Sequence, residues 1–140
     1  ATINTKVKAH QPDAQIEGIL VQEMVHDGTE VIMGVNKDQH FGHLLMFGLG
    51  GSFVEIFEDV AFRVAPINSY DATQMVETIK SLPLLRGYRG KPARDIAKLE
   101  EALQRLSQLV TDFPQITEID LNPVFALEEG IKVADARIFV

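Results

Sequence analysis

The spacing of apolar residues changes twice along the chain, and each change predicts a different element. Residues 18–25, GILVQEMV, form an apolar run that ends at HDG, a polar turn whose glycine can take positive φ; a strand is expected there. TEVIMGV resumes a β-prone run, NKDQHFG turns it, and HLLMFGLGG supplies another strand that ends in glycines. GSFVEIFEDVAFRVAPI continues the pattern, with Glu58 and Asp59 marking a break before VAFRVAPI. A meander of at least four strands is the expectation.

From residue 70 the period becomes helical. In YDATQMVETIKSL, Met75, Ile79 and Leu82 fall at helical spacing, and Asp71 is placed to accept backbone N–H groups of the first turn. PLLRGYRGK, with two glycines and three bases, reads as a surface loop. Pro92 suits the first turn of a second helix, where its missing N–H is no loss. Ile96, Leu99, Leu103, Leu106, Val110 and Phe113 then recur at spacings of three and four, a stripe for core packing, and Pro114 ends it. The last segment, QITEIDLNPVFALEEGIKVADARIFV, holds two β-prone runs about EEG. No repeat or linker interrupts the order, so residues 1–140 are read as a single domain. The expected class is α+β, a mostly antiparallel sheet packed with two helices.

The final hairpin is where candidate chemistry enters. Alternation places Ile119, Leu121, Phe125 and Leu127 on one face, toward the core, and Asp120, Asn122 and Val124 on the other. A four-residue turn over 127–130 pairs Ala126 with Ile131, Asn122 with Asp135, Asp120 with Arg137, Ile119 with Ile138 and Leu121 with Ala136. One register thus satisfies the hydrophobic pattern and gathers the polar groups. Opposed Cβ atoms lie about 4.5–5.5 Å apart, so the Asn122 amide oxygen and the Asp135 carboxylate can reach one ion. An all-oxygen set suits magnesium, which takes one or two carboxylates and keeps waters or phosphate oxygens, whereas calcium calls for more protein ligands. On pattern alone a solvated hairpin edge, with an exposed Asp120–Arg137 pair worth little, stands ahead of this reading.

Composition narrows the classes. In 140 residues, 46% hydrophobic content is enough for one core, and a net charge of −7 argues against a nonspecific nucleic-acid binder. The chain has no cysteine, which excludes disulfides, thiolate metal sites and a cysteine nucleophile. The first residues lack a signal-peptide pattern, and no apolar run approaches the ~20 residues of a membrane span. A soluble, cytoplasmic protein with no membrane or nucleic-acid partner is expected, with oligomer formation left open. GLGG (48–51) lets backbone approach a neighbour, as a tight strand connection or a phosphate loop would, but it matches neither a P-loop nor GxGxxG. His40 and His43 are read as surface histidines. Arg86, Arg89 and Lys91 of RGYRGK form either an anion site or a solvated basic loop.

Taken together, GILVQEMV, the stretch from DGTEVIMGV to DVAFRVAPI, LLRGYRGKPARD, and EIDLNPVF with VADARIF resemble the ATP-grasp domain of the NDP-forming acyl-CoA synthetases. The family includes ADP-forming acetate–CoA ligase and, with this domain embedded, bacterial protein lysine acetyltransferases; succinyl-CoA synthetase β chains are more distant. The resemblance implies a fold like the second ATP-grasp subdomain. It also implies Mg2+ and ATP/ADP binding, for phosphoryl transfer between nucleotide and a phosphohistidine during acyl-CoA formation. By similarity, Gln22, Glu23 and Met24 meet adenine, Glu30 approaches the ribose, and Asn122 and Asp135 hold magnesium with Asp120 beside them. No role is carried onto GLGG or Arg63. The family's FGP is FGH here, which puts that loop's shape in question. Only the second of two clamping lobes is matched. The expectation is therefore a piece of a longer polypeptide, inactive alone, whose partners are the N-terminal ATP-grasp lobe and the CoA-binding and ligase domains. The alternatives are a regulatory nucleotide-sensing module of a protein lysine acetyltransferase, or a nonenzymatic interaction domain.

Overall fold

The computed structural model describes residues 2–51 and 59–140. In chain order these contain α1 (Thr2–His10), β1 (Thr29–Asp38), β2 (Gly42–Leu49), β3 (Val60–Val64), α2 (Ser69–Thr78), α3 (Leu82–Leu85), α4 (Ile96–Asp112), β4 (Glu118–Ala126), β5 (Ile131–Val133) and β6 (Ala136–Phe139). The strands form one antiparallel sheet in the order β3-β2-β1-β4-β5, with β6 also on β4. An α+β architecture is therefore present, and the central strand is β1.

One sheet face is covered by helices. Val31, Met33 and Val35 of β1, with Leu45 and Phe47 of β2, pack with Met75 and Val76 of α2 and with Leu99, Leu103 and Val110 of α4. The α4 stripe behaves as its spacing predicts except at its end, where Phe113 is the C-cap and half exposed. Two polar groups tie this core together. Ser107 Oγ, buried on α4, accepts the Ile67 amide at 2.9 Å. Asp59 is buried at the foot of β3 and accepts the amides of Lys80 (2.6 Å) and Ser81 (2.8 Å). Burial opposes ionisation of Asp59, but the donors from Ser81 and the Lys80 amide together outweigh it and hold its pKa below the ordinary value.

Both long helices begin on side-chain caps. Asn68, rather than Asp71, is the N-cap of α2; its Oδ1 accepts the Asp71 amide while Asp71 Oδ2 accepts the Asn68 amide, a reciprocal capping box. Helix α4 starts at Ile96 and not near Pro92, because Asp95 caps it through the Lys98 amide while the Arg94 amide bonds Leu85 O. RGYRGK is a loop as expected, although the leucines before it form the single turn α3.

Two expectations fail for physical reasons. Residues 18–25 form no strand: Leu20 and Val21 are 81% and 87% exposed, and no strand among the described residues pairs with them. A β-prone run needs a neighbour to complete its hydrogen bonds. In β4 the alternation reverses part-way, so Val124 and Ala126 are buried in place of Phe125 and Leu127. The β1–β4 ladder runs from Met33↔Leu121 to Val31↔Val124, one extra residue on β4. Pro123 has no N–H to give the ladder, and the bulge falls there. Residues 52–58, part of the fourth expected strand region, lie outside the described residues.

Candidate functional site

The other sheet face has no helix over it among the described residues. Register and alternation place Glu30, Gly34 and Asn36 of β1 there, with Leu44 and Met46 of β2, Phe62 and Val64 of β3, and Asp120 of β4. Gly34, Leu44, Met46, Phe62, Glu118 and Asp120 line a hollow of about 220 Å3 on this side. A side chain at position 34 would lie 3.3 Å from Ile119 O and Met46 Cε, so glycine keeps the floor of the hollow low. Phe62 and Val64 remain 46% exposed. The face is an apolar platform with carboxylates along its edge, the chemistry that accepts a flat apolar ring beside a cationic or metal-bound group.

Glu30 sits under the glycine loop. The Gly50 amide donates to Glu30 O at 2.7 Å, and a Cβ on Gly50 would come within 2.9 Å of the Glu30 carbonyl carbon. Gly51 has φ +73°, and its Cβ direction points to Glu30 Oε2 at 3.4 Å. Gly48 serves β2–β3 pairing, since a Cβ there would meet Asp59 O at 2.8 Å. GLGG is thus a close backbone approach, and its last two glycines bring the chain onto Glu30.

The hairpin has the register expected from its sequence. Ala126 pairs Ile131, Leu121 pairs Ala136, Asp120 pairs Arg137 and Ile119 pairs Ile138. The Asn122 amide donates to Asp135 O at 3.3 Å, which sets these two residues across from each other. Asp95 fixes the turn from outside: its amide donates to Leu127 O (2.8 Å) and its Oδ2 accepts the Gly130 amide (2.8 Å). The expected Asp120–Arg137 ion pair is replaced. Arg137 Nε lies 3.5 Å from Asp135 Oδ2, both side chains more than half exposed, while Asp135 Oδ1 accepts the Ala136 amide. Such an exposed, long contact is weak and easily exchanged for another cation.

Asn122 and Asp135 are exposed and Asp120 is half buried, so all three side chains can be reached from solvent. Among the described residues, no three His, Cys, Asp or Glu side chains converge as a ready metal cage. Two carboxylates and an amide fall short of a closed cage and fit a hard cation that keeps waters and takes oxygens from a phosphate ligand. The histidines do not compete, because His43 Nε2 bonds Ile116 O at 2.7 Å and His40 lies on the exposed turn after β1.

The segment 22–24 reaches this hairpin through a residue that sequence reasoning missed. Lys132 Nζ of β5 pairs with Glu23 Oε1 at 2.5 Å, and that hydrogen bond, with the charge of Lys132, lowers the Glu23 pKa. Gln22, Glu23, Val25, Lys132, Val133 and Ala134 enclose a cleft of about 470 Å3. Met24 is 70% exposed and does not line it. No local signal marks Lys132, since its partner lies 109 residues away in sequence.

Comparison with known proteins gives one consistent result. The family described as ATP-grasp domain matches residues 1–140. The chain is 47% identical over 141 residues to acetate–CoA ligase (ADP-forming) II subunit beta of Pyrococcus furiosus, covering 99% of this chain and 60% of the relative. It is 45% identical over 136 residues to acetate–CoA ligase (ADP-forming) I of Archaeoglobus fulgidus, covering 97% of this chain and 20% of that protein. A solved structure, the dinucleotide forming acetyl-coenzyme A synthetase 1 of Ca. Korarchaeum cryptofilum, superposes with a TM-score of 0.82 at 47% identity, over 85% of this chain and 56% of that one. That structure is a complex with coenzyme A and Mg-AMPPCP, its phosphohistidine segment pointing towards the nucleotide binding site. The present chain therefore spans between a fifth and three fifths of the length of these relatives.

Proposed function

We propose, from the premise that this chain belongs to the ATP-grasp domain family, that it is the second, nucleotide-binding lobe of a cytoplasmic ADP-forming acyl-CoA synthetase of the acetate–CoA ligase type. The observation that carries this reading is the hairpin register that sets Asn122 across from Asp135 at the edge of an open, partly apolar sheet face. In this reading Asn122 and Asp135 hold Mg2+, and Asp120 lies beside them. Gln22, Glu23 and Met24 meet the adenine and Glu30 the ribose, with the apolar platform of Phe62 and Met46 below. Bound magnesium neutralises charge on the phosphates of ATP or ADP as the phosphoryl group moves to or from a phosphohistidine. The chain's own part is placement: Asp95 locks the hairpin turn, Lys132 draws Glu23 toward the hairpin, and Gly50 and Gly51 seat the loop on Glu30.

The exposed apolar run over 18–25 supports the partner half of the reading. Ile19, Leu20, Val21 and Met24 carry strand-like side chains with no strand beside them among the described residues, as a segment shared with a first lobe would. CoA-binding and ligase domains complete the proposed assembly. The test is made on the full-length protein, by following ATP-dependent acetyl-CoA formation from acetate. Asp135→Ala is expected to lower turnover by roughly 100-fold or more, the order of effect when one preorganised charge-stabilising group is removed. Unchanged turnover would sink the assignment.

A further inference from the structure

The basic loop between α3 and α4 is not used by this reading, and it forms a cavity of its own. Gly28, Thr29, Leu84, Tyr88, Arg89 and Lys91 line a recess of about 290 Å3. It lies on the helix-covered side of the sheet: Thr29 pairs with buried Ala126, whereas its neighbour Glu30 points to the open face. Four of the chain's thirteen bases fall within residues 86–94, in a molecule of net charge −7. Two of them have carboxylate partners, Arg86 with Glu77 and Arg94 with Asp27. Arg89 and Lys91 make no ion pair among the described residues, although the charge of Lys91 helps to lower the Asp27 pKa, and Arg89 lies over the Tyr88 ring at 5.3 Å. Among the described residues Arg89 is also the sole non-glycine at positive φ, +50°, between Gly87 (+95°) and Gly90 (+81°). A Cβ at Gly87 would meet Lys91 O at 2.9 Å, so the loop is folded tightly on itself.

The remaining donors sit at Thr29. Its Oγ1 accepts from Arg94 Nε at 3.1 Å, which leaves its own hydroxyl proton without an acceptor among the described residues. The Arg94 side chain is only 2% exposed, and its Nη1 is buried with no hydrogen-bond partner. A buried guanidinium nitrogen without an acceptor is costly unless something nearby completes the network. We propose that this recess binds the dianionic phosphate of a small phosphate monoester. Two cations without an ion pair at contact distance match a dianion, and the Thr29 hydroxyl adds a third direction of donation, which suits a tetrahedral group with three terminal oxygens better than a planar carboxylate. Leu84 and Tyr88 supply an apolar wall for the organic part of the ligand.

The site is tested on the 140-residue chain by 15N amide shifts, in EDTA, at constant ionic strength and pH 7.5, with inorganic phosphate, phenyl phosphate and benzoate as probes. Phenyl phosphate is expected to shift the amides of Gly28, Thr29, Tyr88, Arg89 and Lys91 and to bind more tightly than inorganic phosphate, with benzoate weakest. Arg89→Gly removes the guanidinium while suiting the local φ. It should weaken phenyl phosphate by about tenfold or more without lowering the melting temperature, and Lys91→Gln should do the same. Asp135→Asn should leave the affinity unchanged, which separates this site from the magnesium site. Benzoate binding as well as phenyl phosphate, unaltered affinity in both loop variants, or loss of binding in Asp135→Asn would each overturn the proposal.

Discussion

The helix-covered face and the open face belong to the same strands, yet their side chains meet different surroundings. Alternate residues of β1 and β2 are sealed under α2 and α4 on one side. On the other, Gly34, Met46 and Phe62 form a shallow platform edged by Asp120 and Glu30. The covered face is where truncation removes contacts that nothing replaces. The open face is where residues can be held for a ligand at little cost to the fold. Substitutions on the two faces should therefore separate stability from binding.

The largest separation is expected for Leu103→Ala against Phe62→Ala. Leu103 is fully buried, and its truncation should cost about 2–5 kcal/mol in urea unfolding. Phe62 is nearly half exposed, and its loss should cost about 1 kcal/mol or less while weakening Mg-nucleotide binding by the full-length protein. Equal destabilisation by the two would erase the distinction.

Gly50→Ala should come next. The new methyl would press on the Glu30 backbone at the edge of the open face, and about 1–3 kcal/mol of destabilisation is expected from chemical melts. Parent-like stability would show that the loop can move away from Glu30.

Asp59 gives a pH-dependent contrast, because it is a charged group on the covered side. A carboxylate whose folded pKa is depressed contributes stability that is present above its unfolded pKa, about 3.9, and is lost as pH falls through the folded value. Asp59→Asn should lower stability at pH 7 by about 1–3 kcal/mol and flatten the acid side of the stability curve. If the parent and variant curves run parallel below pH 5, Asp59 is not the group responsible.

The smallest effect on stability is expected at Lys132→Ala, which removes an exposed, salt-sensitive ion pair and should leave the urea midpoint close to that of the parent. Its consequence should appear instead as weaker nucleotide binding in the full-length protein, through a freer Glu23. Unchanged nucleotide affinity would remove Lys132 from the site.

Much of this was legible along the chain because it depends on local period. The α4 stripe, the glycine-dependent closeness at positions 48–51 and the hairpin register follow from spacing, steric size and turn length. The register in turn decides which polar residues face one another. The phase reversal in β4 was partly hidden: Pro123 signals a lost ladder bond, but only pairing with β1 shows which strand absorbs the extra residue. Asn68 displaced Asp71 as the cap of α2, and Asp95 displaced Pro92 at the start of α4, because a cap is chosen by where the preceding chain docks.

By itself, then, the sequence determined the types of the sheet strands and of the two helices that pack on them, the opposition of Asn122 and Asp135 across the hairpin, and the family resemblance that proposes a reason for it. Tertiary structure alone decided that GILVQEMV forms no strand with any described neighbour, that Lys132 meets Glu23, and that Thr29, Arg89 and Lys91 share a recess. The first group rests on repeats of two and 3.6 residues, which are visible in any short window. The second rests on contacts between segments distant in sequence, whose hydrogen bonds and charges find their partners only once the chain has folded.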